Sequence, residues 1–501
     1  MSNTQALIVE TQYGKVQGIK EDNGIYAWRG IPYAQPPVGS LSFKAPQPLQ
    51  NWNKIYMATS FREVSPQKTD ALTEGESEVI SEDCLYLNIW SPKKDGRKLP
   101  VMFWIHGGGY INGSGSGPGY RGANMAKEGE VVIVTINYRL GPWGFLYLKD
   151  LDKSFDSNVG IRDQIAALKW VKGNIEAFGG DSENITIFGE SAGGASIINL
   201  LGSPIAKGLF HKAIAESPSG DCIYKTPDMA SDVAKRFLQL LEIPESKADS
   251  IKNLPLSILL DAVDKIVIET AENFPGNLAF QPVIGDDILP IHPLRAIKEG
   301  SGSRVPLIAG FNENEGSIYE VLSGMPQVMP VTESKIRMYL QQNYPDKSDQ
   351  IYDAYRDIDI SRKHVEMGQV ISIIGPATRI AETMSAYISK VYMYHFKWAT
   401  DHLKSIGLGC FHSLEIPFVF NNFDYAFVKE AIQGVDEKEI QNLSHHIQQA
   451  WISFAHTGSP NYKESHFWES YNTTSRLIIT FDNEIFTRKH PKEKYVKVFE
   501  E

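Results

Sequence analysis

The chain has 501 residues, of which 42% are apolar and 22% charged, the balance of a globular protein with an extensive core. Its 49 Lys and Arg against 60 Asp and Glu leave a formal charge of −11, which argues against nucleic acid as a partner, because that needs a basic stripe. The three cysteines, Cys84, Cys222 and Cys410, lie far apart and outside any C-x-x-C pattern, so free, buried thiols in a reducing compartment are expected rather than disulfides or a zinc site.

The N-terminal stretch "MSNTQALIVETQYGKV" lacks a basic start and a long apolar segment, and so predicts no signal peptide. No apolar run approaches the roughly 18 residues of a membrane span. A cytoplasmic protein, without membrane contact and with a monomer favoured, is the resulting expectation. No repeat or linker divides the chain, which predicts one domain over 1–501.

Early segments read as short strands and turns, such as "GIPYAQPP" at 30–37. Continuous apolar runs at 100–105 ("PVMFWI") and 131–136 ("VVIVTI") suit parallel strands covered on both faces. A helix is predicted at 163–178, a strand at 185–188 and a helix through 195–201, with later strands at 306–309 and 391–398. This alternation predicts an α/β fold with a large, mostly parallel sheet flanked by helices and joined by right-handed crossovers. Mostly helical stretches at about 228–300 and 331–388 read as insertions over the top of the sheet, where open α/β folds bind ligands.

Within this frame, "GESAG" at 189–193 follows a strand and opens a helix. G-x-S-x-G occurs by chance in roughly one in five chains of this length, so the context carries the argument. A strand–turn–helix junction presents the serine oxygen above the positive end of a helix, which makes Ser191 a candidate nucleophile. The competing reading, a helix-capping serine, leaves both flanking glycines unexplained. A nucleophile attacking an acyl carbonyl needs donors for the developing oxyanion. "HGGGY" at 106–110 directly follows the 100–105 strand, and the backbone N–H groups of Gly108, Gly109 and Ala192 could supply them.

The glycine loop and the elbow, in that order, resemble the type B carboxylesterase/cholinesterase family of α/β hydrolases. Further likeness runs through "GIPYAQPPVG" (30–39), "SEDCLYLNIW" (81–90), "NYRLGPWGF" (137–145), "DQIAALKWVKGNIEAFGGD" (163–181), "GLFHKAIAES" (208–217) and "SHHIQQAWISFAHTGSPN" (444–461). Within that family the chain resembles the bacterial para-nitrobenzyl esterase group. The resemblance implies the α/β-hydrolase fold and a Ser–Glu–His triad. Its acid falls in "NENEG" (312–316) and its base in "GCFHSLEIPFVF" (409–420). From chemistry alone either Glu313 or Glu315 could orient an imidazole; the resemblance selects Glu315, with His412 as base. It also implies an ester substrate and water, no metal and no cofactor, and His106 as support beside the glycine loop. The adjacent His445 and His446 are not read as a metal pair, since neighbouring helix residues diverge by about 100°.

Several positions depart from the family pattern. Ser42 stands where an arginine often pairs with Glu82; Ser65 replaces a cysteine that in relatives often bonds the counterpart of Cys84. Pro218 follows Ser217 where glycine is usual, and an Arg139–Asp163 pair is expected to persist. Asn314 replaces a common aspartate, and Ser413 replaces a common glycine, with no effect expected on the imidazole. The function implied is a serine carboxylesterase for short- to medium-chain esters, aryl esters included. The slim Gly107–Gly109 loop resembles that of esterases that admit bulky, even tertiary, alcohols. The alternative is a catalytically inactive, cholinesterase-like adhesion or binding module.

Overall fold

The computed structural model describes residues 7–68, 79–92, 96–220, 224–321 and 329–499. The central strands are β1 (Tyr86–Ser91), β2 (Leu99–Ile105), β3 (Val132–Ile136), β4 (Gly180–Glu190), β5 (Lys212–Glu216), β6 (Leu307–Asn312), β7 (Val391–Phe396) and β8 (Leu477–Phe481), with the two apolar runs forming β2 and β3. They lie side by side in the order β1-β3-β2-β4-β5-β6-β7-β8, inside a thirteen-stranded sheet with short antiparallel strands at both edges. From β3 to β8 every neighbouring pair is parallel. Only β1, paired with β3, runs against its neighbour in this central set.

Side chains alternate between the two faces. Val101, Phe103 and Ile105 of β2 join one core, with Ile161, Ile165 and Leu168 of helix α1 (Val159–Asn174). Met102 and Trp104 join a second core, which contains Ile447 and Trp451 of the long C-terminal helix Glu437–Thr457. Both faces are therefore dry, which is why these strands carry no polar/apolar alternation.

The structure corrects several expected boundaries. The helix placed at 163–178 begins at Val159 and ends at Asn174, followed by a 3-10 turn that stops at Gly179 with φ 89°. The 185–188 strand extends over Gly180–Glu190 and so ends directly at Ser191. Strands β5 and β8 were not anticipated. Lys212–Glu216 reads as a charged, alanine-rich segment, yet it is buried throughout between β4 and β6.

The regions expected as insertions are helical, with Pro227–Leu240, Leu256–Asn273 and Pro293–Glu299 in the first and four helices from Glu333 to Ser385 in the second. In the latter a π turn, Val370–Ile374, joins two α-helical segments. Pro376 has no N–H to return to the Ser372 carbonyl, and that oxygen instead accepts from Gly220 N at 2.8 Å. The insertion is thereby tied to the loop after β5.

The expected ion pair forms, and Ser42, in place of the usual arginine, finds a partner. The Arg139 guanidinium meets Asp163 through Nε (2.8 Å) and Nη2 (2.7 Å), with both side chains buried. Glu82, without an arginine, accepts from the Ser42 hydroxyl. Cys84 and Cys410 are free and buried; Cys222 lies outside the described residues. No described helix is long and apolar enough to cross a membrane.

Arg139→Leu would strand the Asp163 charge in the core. A loss of roughly 3–5 kcal/mol is expected by chemical denaturation, with a smaller loss when Asp163 is replaced by Asn at the same time.

Candidate active site

Ser191 sits between β4 and helix α2 (Ala192–Gly202) with φ 57° and ψ −120°, a conformation a serine holds only under constraint. The constraint is visible in its neighbours. A Cβ on Gly193 would lie 2.0 Å from the Ile105 carbonyl oxygen, and one on Gly189 would lie 2.5 Å from the same atom. The turn can therefore press against the end of β2 only with glycine on both sides. Ser191 N donates to the Glu216 carbonyl (3.0 Å) at the end of β5, which pins the elbow from the other side. Pro218 packs on Gly194, where an added Cβ would meet its Cα at 2.9 Å.

The loop after β2 turns through three consecutive left-handed residues, Gly108 (φ 97°), Gly109 (φ 60°) and Tyr110 (φ 61°). The N–H groups of Gly108 and Gly109 donate to no described protein group, and Ala192 N, in the first turn of α2, has no intrahelical acceptor. These are the three donors named from the sequence, and Gly109 and Ser191 line the same chambers. His106 is fully buried, stacks on Tyr138 (4.5 Å between ring centroids) and contacts the Gly107 carbonyl at 2.8 Å. Burial holds its pKa down at about 4, so it is a neutral spacer.

Of the two candidate carboxylates, Glu315 is the one against His412, with Oε2 2.6 Å from Nδ1. Its other oxygen accepts from Ser217 Oγ (2.7 Å) and Asn312 N (2.6 Å). Glu313 points elsewhere, to His395 (2.8 Å) and Lys492 (3.5 Å). Burial would raise the Glu313 pKa, but the adjacent His395 and Lys492 side chains overcome it and hold the carboxyl at about 2. Asn314, in place of the usual aspartate, joins the acid loop to the histidine loop: its Oδ1 accepts from Cys410 N (3.0 Å) and its N donates to the Cys410 carbonyl (2.9 Å).

The imidazole has a second anionic neighbour that the sequence reading did not single out. His412 Nε2 lies 3.1 Å from Glu190 Oε1, within ion-pair distance but out of line for a hydrogen bond. No hydrogen bond joins Nε2 to the Ser191 hydroxyl, although both residues line one chamber. Ser413, expected to leave the imidazole alone, donates to that same Glu190 oxygen at 2.6 Å. The only local signal for Glu190 was its place beside Ser191; nothing in the sequence pattern pairs it with a residue 223 positions away.

Glu415 and Glu216 complete a set of four buried carboxylates. Glu415 accepts from Asn312 Nδ2 (2.5 Å) and Glu216 from Trp451 Nε1 (2.8 Å). Burial raises Glu216 to about 8, and burial with the charges of Glu190 and Glu315 raises Glu415, which favours the protonated form of each. Burial by itself would lower the His412 pKa; the charges of Glu190 and Glu315 and the Glu315 hydrogen bond prevail and raise it to about 9.

Two chambers meet at Ser191. The larger, of about 190 Å³, is lined by the glycine loop, Ser191, His412, Phe411 and Tyr425; the smaller, of about 60 Å³, by Leu278, Met329, Ile371 and Ile373. Both share Gly109, Ser191 and Tyr319. Among the described residues no cluster of His, Cys, Asp and Glu could hold a metal ion. His445 and His446 face different partners, Glu128 and Tyr462.

A carboxylesterase family model matches residues 5–499. The para-nitrobenzyl esterase of Bacillus subtilis (strain 168) is 40% identical over 98% of both chains, and the phenmedipham hydrolase of Pseudarthrobacter oxydans is 31% identical over 95% of both. Among solved structures, a thermophilic para-nitrobenzyl esterase superposes with a TM-score of 0.89 at 40% identity, covering 99% of this chain and 100% of its own. A carboxylesterase of Geobacillus stearothermophilus reaches 0.83 at 34% identity, covering 98% and 99%.

A base must be neutral to accept a proton, so a raised imidazole pKa moves the acid limb of activity upward. The kcat/KM profile for an ester is expected to climb through a midpoint above the unperturbed imidazole value of about 6.5. A limb at or below that value would separate the limb from His412.

Proposed function

The chain belongs to the carboxylesterase family and is a carboxylic ester hydrolase, and on that premise we propose that Ser191, His412 and Glu315 perform the hydrolysis through an acyl-enzyme. Ser191 Oγ attacks the ester carbonyl as His412 Nε2 takes its proton. Glu315, on the opposite nitrogen, fixes the Nδ1–H tautomer and stabilises the imidazolium that forms. The N–H groups of Gly108, Gly109 and Ala192 receive the oxyanion. Collapse expels the alcohol, which leaves with the proton from Nε2, and water repeats the two steps to free the acid.

The observation that carries this reading is the buried 2.6 Å Glu315–His412 contact, with the imidazole opening onto the chamber that Ser191 also lines. An inactive, cholinesterase-like binding module gives no reason for such an arrangement beneath a strained serine.

The two chambers suggest how an ester sits. The leaving alcohol must lie near His412, which lines only the larger chamber, so the alcohol belongs there. The acyl group then occupies the smaller, apolar space of about 60 Å³, which favours short chains. A para-nitrobenzyl alcohol, as in the name of the Bacillus relative, suits the larger chamber. The free Cys84 and Cys410 thiols support a reducing, cytoplasmic setting.

A panel of para-nitrophenyl esters tests the assignment. The value of kcat/KM is expected to fall at least about tenfold from butyrate to octanoate, because the extra methylenes outgrow the small chamber. Ser191→Ala should lose at least about 10³-fold in kcat with every ester; a mutant of full activity would overturn the mechanism. Hydrolysis of tert-butyl acetate is also expected, from the slim glycine loop. Cleavage of para-nitrophenyl acetate without it would remove the tertiary-alcohol assignment.

A further inference from the structure

Ser413 adopts φ 73°, a left-handed backbone that glycine takes freely and serine does not. It borders the larger chamber, and its hydroxyl is committed to Glu190 Oε1 at 2.6 Å, the atom that faces His412 Nε2 at 3.1 Å. One carboxylate oxygen therefore sits between a hydroxyl donor and the imidazole nitrogen that must receive the proton of Ser191. We propose that Ser413 is a positioning residue: its hydroxyl favours the charged form of the Glu190 carboxylate and keeps it aimed at His412 Nε2, and so helps set the pH at which the imidazole becomes a working base. This rests on the proposed role of His412 as that base.

The surroundings fix the sign of the effect. His412 faces Glu190 from the end of β4, Glu315 from the loop after β6 and Glu415 from its own segment, with the Tyr319 ring 6.4 Å away. Burial raises the Glu190 pKa and the Glu315 charge adds to it, while the His412 charge and the Ser413 hydroxyl oppose the rise; the Glu190 charge reaches Glu216, Glu415, Tyr319 and Tyr394. No lysine or arginine contributes to Glu190 or His412 among these groups, so the ionisation of Glu190 depends on the imidazole and the Ser413 hydroxyl. A hydrogen bond to a carboxylate favours its charged form. Without the hydroxyl, Glu190 takes up a proton more readily, the imidazolium loses an anionic neighbour, and His412 deprotonates at lower pH.

The test compares kcat/KM against pH for the wild type, Ser413→Ala, Ser413→Gly, Glu190→Gln and Glu190→Gln/Ser413→Ala, with para-nitrophenyl butyrate. Both Ser413 variants are expected to move the acid limb down by roughly half to one pH unit. Alanine keeps the backbone under strain and glycine relieves it, so equal shifts assign the effect to the hydroxyl. In the Glu190→Gln background the Ser413 change should move the limb no further. The low-field imidazole N–H resonance of the His412–Glu315 pair, followed by NMR over the same pH range, reads the titration without turnover. A limb and a resonance that stay put in both Ser413 variants, with hydrolysis intact, would overturn the positioning role. A shift of equal size with and without Glu190 would also overturn it. A wild type that hydrolyses no ester would instead overturn the base assignment, while the resonance still reports whether Ser413 acts on the imidazole.

Discussion

The site depends on one buried imidazole placed among four buried carboxylates. Glu190, Glu216, Glu315 and Glu415 are each no more than 3% exposed, and among the described residues His412 is the one cation-forming group that touches them. Charges this deep cannot all persist, because burial penalises each and they repel one another. The protein resolves the conflict by position. Glu315 keeps three hydrogen-bond partners, burial favours the protonated forms of Glu216 and Glu415, and Glu190 shares its oxygen between Ser413 and the imidazole. In the proposed mechanism, the distribution of protons in this cluster decides when His412 can act as the base.

The sheet makes the cluster possible. Glu190 and Glu216 are the last residues of adjacent parallel strands, paired directly in register, and Glu315 follows the next strand by three residues. Parallel strands bring their C-terminal ends to one edge, so residues remote in sequence converge without long loops. The same edge carries the glycine loop after β2 and the elbow after β4. Pressing these two turns together requires backbone contacts that no side chain could fit between. The close approach of Gly193 to the Ile105 carbonyl is therefore as much a part of the site as the serine it flanks.

Features governed by local backbone chemistry were legible in the sequence. Glycines at 189 and 193 announce a turn too tight for a Cβ, and three glycines after a buried strand announce free N–H groups. Long apolar runs marked β2 and β3, while the short Lys212–Glu216 strand, with charged ends, gave no comparable signal. Glu313 and Glu315 could not be separated from spacing alone, because their directions are set by Asn314 docking on Cys410, a contact across 96 positions. For the same reason Ser413 looked inert: its partner belongs to the other half of the chain. Resemblance to a family supplies the acid and the base, but it says nothing of a hydroxyl that the pattern usually lacks.

Ser191 as the nucleophile that His412 activates is the central element of the proposed mechanism. Intact-mass and peptide mass spectrometry after treatment with a diethyl phosphoryl organophosphate measure that directly. One phosphoryl group per chain is predicted, on Ser191, with labelling slowed sharply in His412→Gln. Labelling at another residue, or equal labelling rates in the two proteins, would contradict it.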